Sequence, residues 1–106
     1  MRYARLKKFN QFQKLFKSGK KVYSRCLTII YRPQKSGQTM GIALSKKHGK
    51  AVKRNRIKRL IRAAFSNNLD KLKESYVLVI LPKVAEEYSY AEIEKSILSC
   101  FKAMEK

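Results

Sequence analysis

No aspartate or glutamate occurs in residues 1–69, a stretch that carries 20 of the chain's 26 lysines and arginines. A cation there has no carboxylate neighbour in sequence, and an unpaired charge cannot be buried without a penalty of several kcal/mol. Elements built from these residues can therefore bury only their apolar faces and must turn their basic faces to solvent or to an external anion. Residues 70–106 hold all seven acids against six bases, so the two parts, at +20 and −1, make the net charge of +19. Such a field repels itself on a compact body. A polyanion reverses the sign of that term and releases condensed counterions, which places nucleic acid ahead of membrane lipid as the expected partner.

A chain of 106 residues makes one domain, 1–106, able to bury roughly two thirds of its unfolded surface. The hydrophobic fraction of 44% with 11 aromatics, six Tyr and five Phe, excludes a disordered basic tail, which would be poor in both. Cys26 and Cys100 are isolated, without CxxC or CxxH spacing, and read as two reduced, half-buried thiols. His48, the only histidine, has no partner in sequence for a metal or general-base role. The N-terminus lacks the apolar run of a signal peptide. No segment approaches the ~20 apolar residues of a membrane span, so no membrane association is expected and the cytoplasm is the expected compartment.

Residues 9–17 predict a short helix, with Phe9, Phe12, Leu15 and Phe16 on one broad face, Gly19 as its stop and Asn10–Gln13 as a capping pair. From Val22 to Arg32 the period changes to two. Leu27, Ile29 and Tyr31 fall on one face, and Cys26, Thr28 and Ile30 on the other. Pro33–Gly37 reads as a turn and Thr39–Ser45 as the returning strand of a hairpin. A basic loop, Lys46-Lys47-His48-Gly49-Lys50, leads into a helix over Ala51–Asn67. Tyr76–Leu81 is an unbroken apolar strand that needs cover on both faces, with Pro82 as its end. Ser89-Tyr90-Ala91-Glu92 is a capping box that opens a last helix with Ile93, Ile97, Cys100, Phe101 and Met104 on one side. The order helix-strands-helix-strand-helix predicts an α+β fold, a single-domain α/β sandwich.

The middle helix separates its residues sharply. At about 100° per residue, Arg54, Lys58, Arg62, Asn55 and Arg59 share one arc, while Ile57, Leu60, Ile61 and Ala64 share the opposite one and Arg56 sits on the border. A merely solvated face mixes signs, because i,i+4 Glu–Lys pairs help it and like charges cost a few tenths of a kcal/mol each. With no acid to offset it, this arc reads as a phosphate-binding face. Arginine suits that task better than lysine, since its planar fork can hold two phosphate oxygens at once.

The run from Ser45 to Arg62 (SKKHGKAVKRNRIKRLIR), centred on Arg54-Asn55-Arg56, resembles the RNR signature of the bacterial ribonuclease P protein component. Arg5-Leu6-Lys7-Lys8 with Phe12, Phe16, Lys17 and Gly19 is similar to that family's first helix. The resemblance implies an α/β sandwich with a left-handed βαβ crossover, against the right-handed rule for ordinary parallel units. It also implies that catalysis belongs to an RNA subunit, one protein per RNA, and that Mg2+ is required by the RNA-containing holoenzyme. The protein then assists removal of the 5′ leader from precursor tRNA. The residues it points to for the RNA subunit are Lys46, Lys47, Lys50, Lys53, Arg54, Asn55, Arg56, Lys58, Arg59 and Arg62. For a leader-binding cleft it points to Phe12, Phe16, Lys17 and Ile30, the last where some relatives carry an aromatic.

The residues by themselves leave two uses open for Phe12 and Phe16: core contact of a short helix, or a stacking platform for unpaired bases. Three other functions share the charge or the size. A small ribosomal protein needs no open aromatic cleft. A protein nuclease generally needs a carboxylate–metal cluster or a His-centred acid–base pair, and residues 1–69 contain no carboxylate. A DNA-binding module would lay the basic helix in a major groove, but no companion helix-turn-helix pattern is present.

Overall fold

An unbroken apolar strand belongs at the centre of a sheet, and residues 76–82 take that place. The computed structural model describes residues 3–6, 8–35 and 37–105; Lys7 of the opening motif and Ser36 of the expected turn lie outside them. In chain order the elements are β1 (Ala4–Arg5), α1 (Phe9–Ser18), β2 (Lys20–Tyr23), β3 (Leu27–Pro33), β4 (Thr39–Ile42), α2 (Ala51–Asn67), β5 (Tyr76–Pro82) and α3 (Tyr90–Met104). Single 3-10 turns occupy Lys46–His48 and Leu69–Lys71. One sheet has the order β1-β4-β5-β3-β2. β1 and β5 run parallel to β4, whereas β3 is antiparallel to β5 and β2.

Leu78 and Ile80 of β5 face one side of the sheet and pack with Leu27, Ile29 and Tyr31 of β3. That side is covered by α2, through Ile57, Ile61, Ala64 and Phe65, and by α3, through Ile93, Ile97, Cys100, Phe101 and Met104. Val79 faces the other side, where Leu15 of α1 packs with Ile30 and Leu6. Helices thus cover both faces, and Leu78, Val79 and Ile80 are fully buried.

Several local expectations are corrected. Thr39–Ile42 does not return as a hairpin on β3: β5 lies between them. The amides of Gln34 and Gln38 explain why. Gln34 Nε2 donates to the carbonyls of Gly37 and Tyr76 at 2.8 and 3.3 Å, and its backbone N–H to Ser75 O at 3.0 Å. Gln38 accepts from Tyr76 N–H at 2.8 Å and donates to Glu74 O at 2.6 Å. These bonds wrap the turn around the start of β5. Second, the expected strand from Val22 to Arg32 is two strands. Ser24 N–H and Oγ both donate to Leu27 O, at 3.0 and 2.6 Å, closing a hairpin, so Cys26 sits in the turn and gives its N–H to Ser96 Oγ.

Third, α1 has no Asn10–Gln13 cap. Its N-cap is Lys8, without a side-chain bond, and Gly19 ends it in extended backbone with its N–H on Leu15 O. On its apolar face Leu15 is the buried residue, while Phe9 is 73% and Phe16 42% exposed. α1 crosses the strands from the Phe12 contact at Gly41 of β4 towards Ile30 of β3 beside Gly19. Phe9, one turn before Phe12, therefore overhangs the strand it would need for cover. The cysteines are free, and Cys100 is fully rather than half buried, which pushes its thiol pKa up.

The ends of α2 and α3 are joined by polar bonds. Glu94 Oε2 accepts from Asn68 Nδ2 at 2.9 Å and Tyr90 OH at 3.0 Å, and Asn68 Nδ2 also donates to Ala64 O. The bonds from Asn68, and then from Tyr90, hold the Glu94 carboxyl below its usual pKa. A carboxylate depressed by folding adds stability that is present above its unfolded pKa and lost as pH falls through its folded one. Glu94→Gln should therefore lower the urea midpoint at neutral pH, and the gap to wild type should close below about pH 4. Equilibrium denaturation at the two pH values checks this.

Candidate nucleic-acid interface

α2 buries Ile57, Ile61 and Ala64 as its aliphatic arc requires, with Leu60 half-buried. The opposite arc is not uniformly solvated. Asn55, Arg56 and Arg59 are exposed, but Lys53, Arg54, Lys58 and Arg62 are half-buried, because the stripe Arg54–Lys58–Arg62 leans over a groove. One part of the groove is lined by Phe12, Ile42, Ala43, Leu44, Arg54 and Lys58, with Asn55 at its rim. The other adds Arg5, Leu6, Met40 and Arg62. Phe12, Ile42 and Lys58 belong to both, so the groove is continuous. β4 is its floor, α1 and α2 are its two sides, and it opens where two-residue β1 stops covering β4.

Phe12 reaches the groove through Gly41. A Cβ at that position would lie 2.8 Å from Phe12 Cζ and 2.9 Å from Leu6 Cβ, so the ring occupies the space that any other residue would fill. Arg54 brings a further chemical feature. Its Nε is buried and has no hydrogen-bond partner among the described residues, although the guanidinium is part of the groove lining. Unpaired buried donors are costly; this one is closed off, and an anion in the groove would meet the rest of the guanidinium instead.

Arg56 points elsewhere. With Lys53, Ile57 and Leu60 it lines a pocket on the far side of α2, against Glu86, Glu87 and Tyr88 of the β5–α3 connection. Lys53 Nζ donates to Ala85 O at 3.0 Å there. The two arginines of the Arg54-Asn55-Arg56 tripeptide therefore serve different surfaces, one a groove without acids and one beside a pair of them.

The lysine loop is held rigidly. Ser45 caps the 3-10 turn, its Oγ accepting from Lys47 N–H at 3.3 Å. His48 is buried, and its Nδ1 accepts from Ser45 N–H at 3.1 Å while Nε2 lies 2.7 Å from Pro82 O. A backbone donor on one nitrogen and a carbonyl on the other select the neutral Nε2–H tautomer. His48 is thus the rivet that fixes the loop to the end of β5, leaving Lys46, Lys47 and Lys50 exposed. Its partner is 34 residues away, so no sequence pattern could have found it.

Of the four expected cleft residues, Phe12 is half-buried, Phe16 and Lys17 are exposed, and Ile30 is 4% exposed in the core beneath α1. Phe12 joins the basic stripe; Ile30 is a core contact. Sequence reasoning missed Arg5 and the β4 floor, whose place in the groove depends on the β1–β4 pairing. Among the described residues, no group of three or more His, Cys, Asp or Glu is placed to hold a metal ion, and no helix is long and apolar enough to cross a membrane.

Known proteins share this sequence pattern and fold. The Ribonuclease P family model matches residues 1–105. The ribonuclease P protein component of Bacillus pumilus is 43% identical over 101 residues, 92% of this chain and 85% of that one. Its counterpart from Finegoldia magna is 34% identical over 104 residues, 96% and 92% of the two chains. Among solved structures, the RNase P protein of Thermotoga maritima superposes with a TM-score of 0.84 at 25% identity, covering 93% of this chain and 96% of that one. The Staphylococcus aureus RNase P protein gives 0.83 at 28%, with 94% of each chain covered.

Gly49 closes the lysine loop with φ 105° and ψ −168°, a region open essentially to glycine alone. A Cβ there would also stand 2.8 Å from Lys53 Cδ. Gly49→Ala should cost about 1–3 kcal/mol of stability, measurable by chemical denaturation.

Proposed function

The chain belongs to the ribonuclease P protein family, and on that premise we propose that its basic helix and lysine loop hold the enzyme's catalytic RNA while the groove beside Phe12 takes the single-stranded 5′ leader of precursor tRNA. It is the protein component of a tRNA-processing enzyme, and the ribosomal reading is not what the family match supports. In this reading one protein joins one RNA subunit, in the cytoplasm, and the bond broken is the phosphodiester at the 5′ end of the mature tRNA. The observation that carries it is the shared groove: Arg54, Lys58 and Arg62 of α2 and Phe12 of α1 line one continuous channel over β4. Phosphates and unpaired bases can there be met by different walls of one site.

The chemistry of the cut belongs in this proposal to the RNA and its Mg2+. The described residues assemble no cluster of metal ligands and so offer that ion no fitting cradle; no step is assigned to the chain through it. What the chain supplies is positive charge between two polyanions, screened over about 8 Å at physiological ionic strength, and contacts that favour precursor over product. The RNA subunit contacts are assigned to Lys46, Lys47, Lys50, Lys53, Arg54, Asn55, Arg56, Lys58, Arg59 and Arg62. The leader contacts are assigned to Phe12, Phe16 and Lys17, with Ile30 as the packing beneath them.

Replacing Lys58, Arg59 and Arg62 together by Ala should weaken binding of the RNA subunit and flatten its salt dependence. Each lost phosphate contact lowers the log–log slope by about 0.7 to 0.9. Thermal stability should hold or rise, because self-repulsion is relieved. An unchanged slope with a large loss of stability would make the face structural.

Phe16→Ala should weaken binding of precursor tRNA by about 1–3 kcal/mol and leave mature tRNA unaffected. Its ring is 42% exposed, so the variant should fold, as a melting curve can confirm. Equal loss for precursor and mature tRNA would remove the leader cleft from the assignment.

A further inference from the structure

Tyr23, at the end of edge strand β2, is 70% exposed, and the sheet register fixes the face it shares. Lys21 lies opposite Ile30 and Tyr23 opposite Thr28, while Val22 lies opposite Ile29, which packs under α2 and α3. Directly opposed residues share a face, so Lys21 and Tyr23 stand on the α1 side, where Ile30 packs with Leu15. Thr28 in turn opposes Leu81 of β5. Ala43, the residue just past the end of β4, continues the row, one residue beyond the Ile42–Ile80 pair. Ala43, Leu81, Thr28 and Tyr23 thus form one row of side chains crossing four strands, over three inter-strand spacings of about 4.8 Å, or about 14 Å.

α1 covers the neighbouring row, Gly41, Val79 and Ile30, and leaves this one partly open. Its Ala43 end lines the groove with Phe12. Phe16 is one helical turn further on along the same stripe of α1, in the direction of β3 and β2. The far end of the row is Tyr23, with Lys21 on its own face and Lys17 exposed on α1. An exposed aromatic amid unneutralised lysines suits a base with its phosphate, whereas an apolar protein partner would have to desolvate those cations.

We propose that Tyr23 is a base-stacking residue for the single-stranded 5′ leader, supplying from the edge strand an aromatic face that Ile30 does not provide. This rests on the leader-cleft reading above and extends it: leader nucleotides enter between Phe12 and the basic helix, pass Phe16, and end on Tyr23. The contact is sequence-tolerant, because every base has a face to stack, and it depends on leader length, because Tyr23 stands at the end of the row.

The test is the affinity of the reconstituted holoenzyme for precursor tRNAs with a graded series of leader lengths. Tyr23→Thr keeps a strand-favouring residue at an exposed site, and Tyr23→Phe keeps the ring. Tyr23→Thr should weaken binding of long-leader precursors about tenfold or more, leaving the shortest leaders and mature tRNA at wild-type affinity. Tyr23→Phe should match wild type throughout. Phe16→Ala in the same series separates the two readings. If Phe16→Ala discriminates precursor from mature tRNA and Tyr23→Thr does not, the Tyr23 assignment is overturned and the cleft stands. If neither discriminates, both fall. A loss on mature tRNA equal to that on precursor, or a Tyr23→Phe defect as large as that of Tyr23→Thr, overturns stacking on the leader.

Discussion

Everything that positions the basic surface hangs on the burial of β5. Its residues alternate between the two helical layers, Leu78 and Ile80 towards α2 and α3, Val79 towards α1, and both its edges are bonded. A strand with no polar face has no stable place at a sheet edge. Once it is central, β4 must pair on one side and β3 on the other, and α2 becomes the crossover that carries the chain from β4 back to β5. The basic helix is where it is because an apolar strand 76–82 needs two neighbours. The lysine loop is tied to the same strand at its far end, through His48 Nε2 and Pro82 O.

The second constraint is electrostatic and acts by exclusion. With no acid before Asp70, α2 could not satisfy its cations within its own half of the chain, and the fold resolves this asymmetrically. The Arg54–Lys58–Arg62 stripe lines a groove with no acid among the described residues, and there Arg54 Nε has no partner among them. Arg56 and Lys53 instead approach Glu86, Glu87 and the Ala85 carbonyl. Among the described residues, charge is therefore uncompensated on the α1 side of the helix and partly compensated on the other.

Helix boundaries, the buried faces of α2, α3 and β3, and the place of the basic arc were legible in the sequence because each is a local pattern with a long run. α2 was expected over Ala51–Asn67 and is found there. The pairing of β4 was not legible. A turn-like Pro33–Gly37 next to a second apolar strand has the local form of a hairpin, and what decides otherwise lies far off in sequence: the need of β5 for two neighbours, and the bonds of the Gln34 and Gln38 amides to residues around forty positions away. The same blindness hid the groove. Phe12, Arg5 and Lys58 lie on three elements whose proximity follows from the parallel pairs β1–β4 and β4–β5, and parallel pairing leaves no turn signature in sequence.

Ile30 shows how a residue can be correctly placed and still have a different role. Its parity puts it on the α1 face, as expected, and α1 then covers it. A side chain beneath the helix is part of the packing under α1 and not of the surface beside it. The open part of that face is the next row along, and its register brings Tyr23 into line with Thr28 and Leu81. A helix ten residues long laid across the strands can cover one row of a sheet and not two. The row it leaves open, with exposed Phe16 and lysines on the same side, keeps this face from closing into a second buried core.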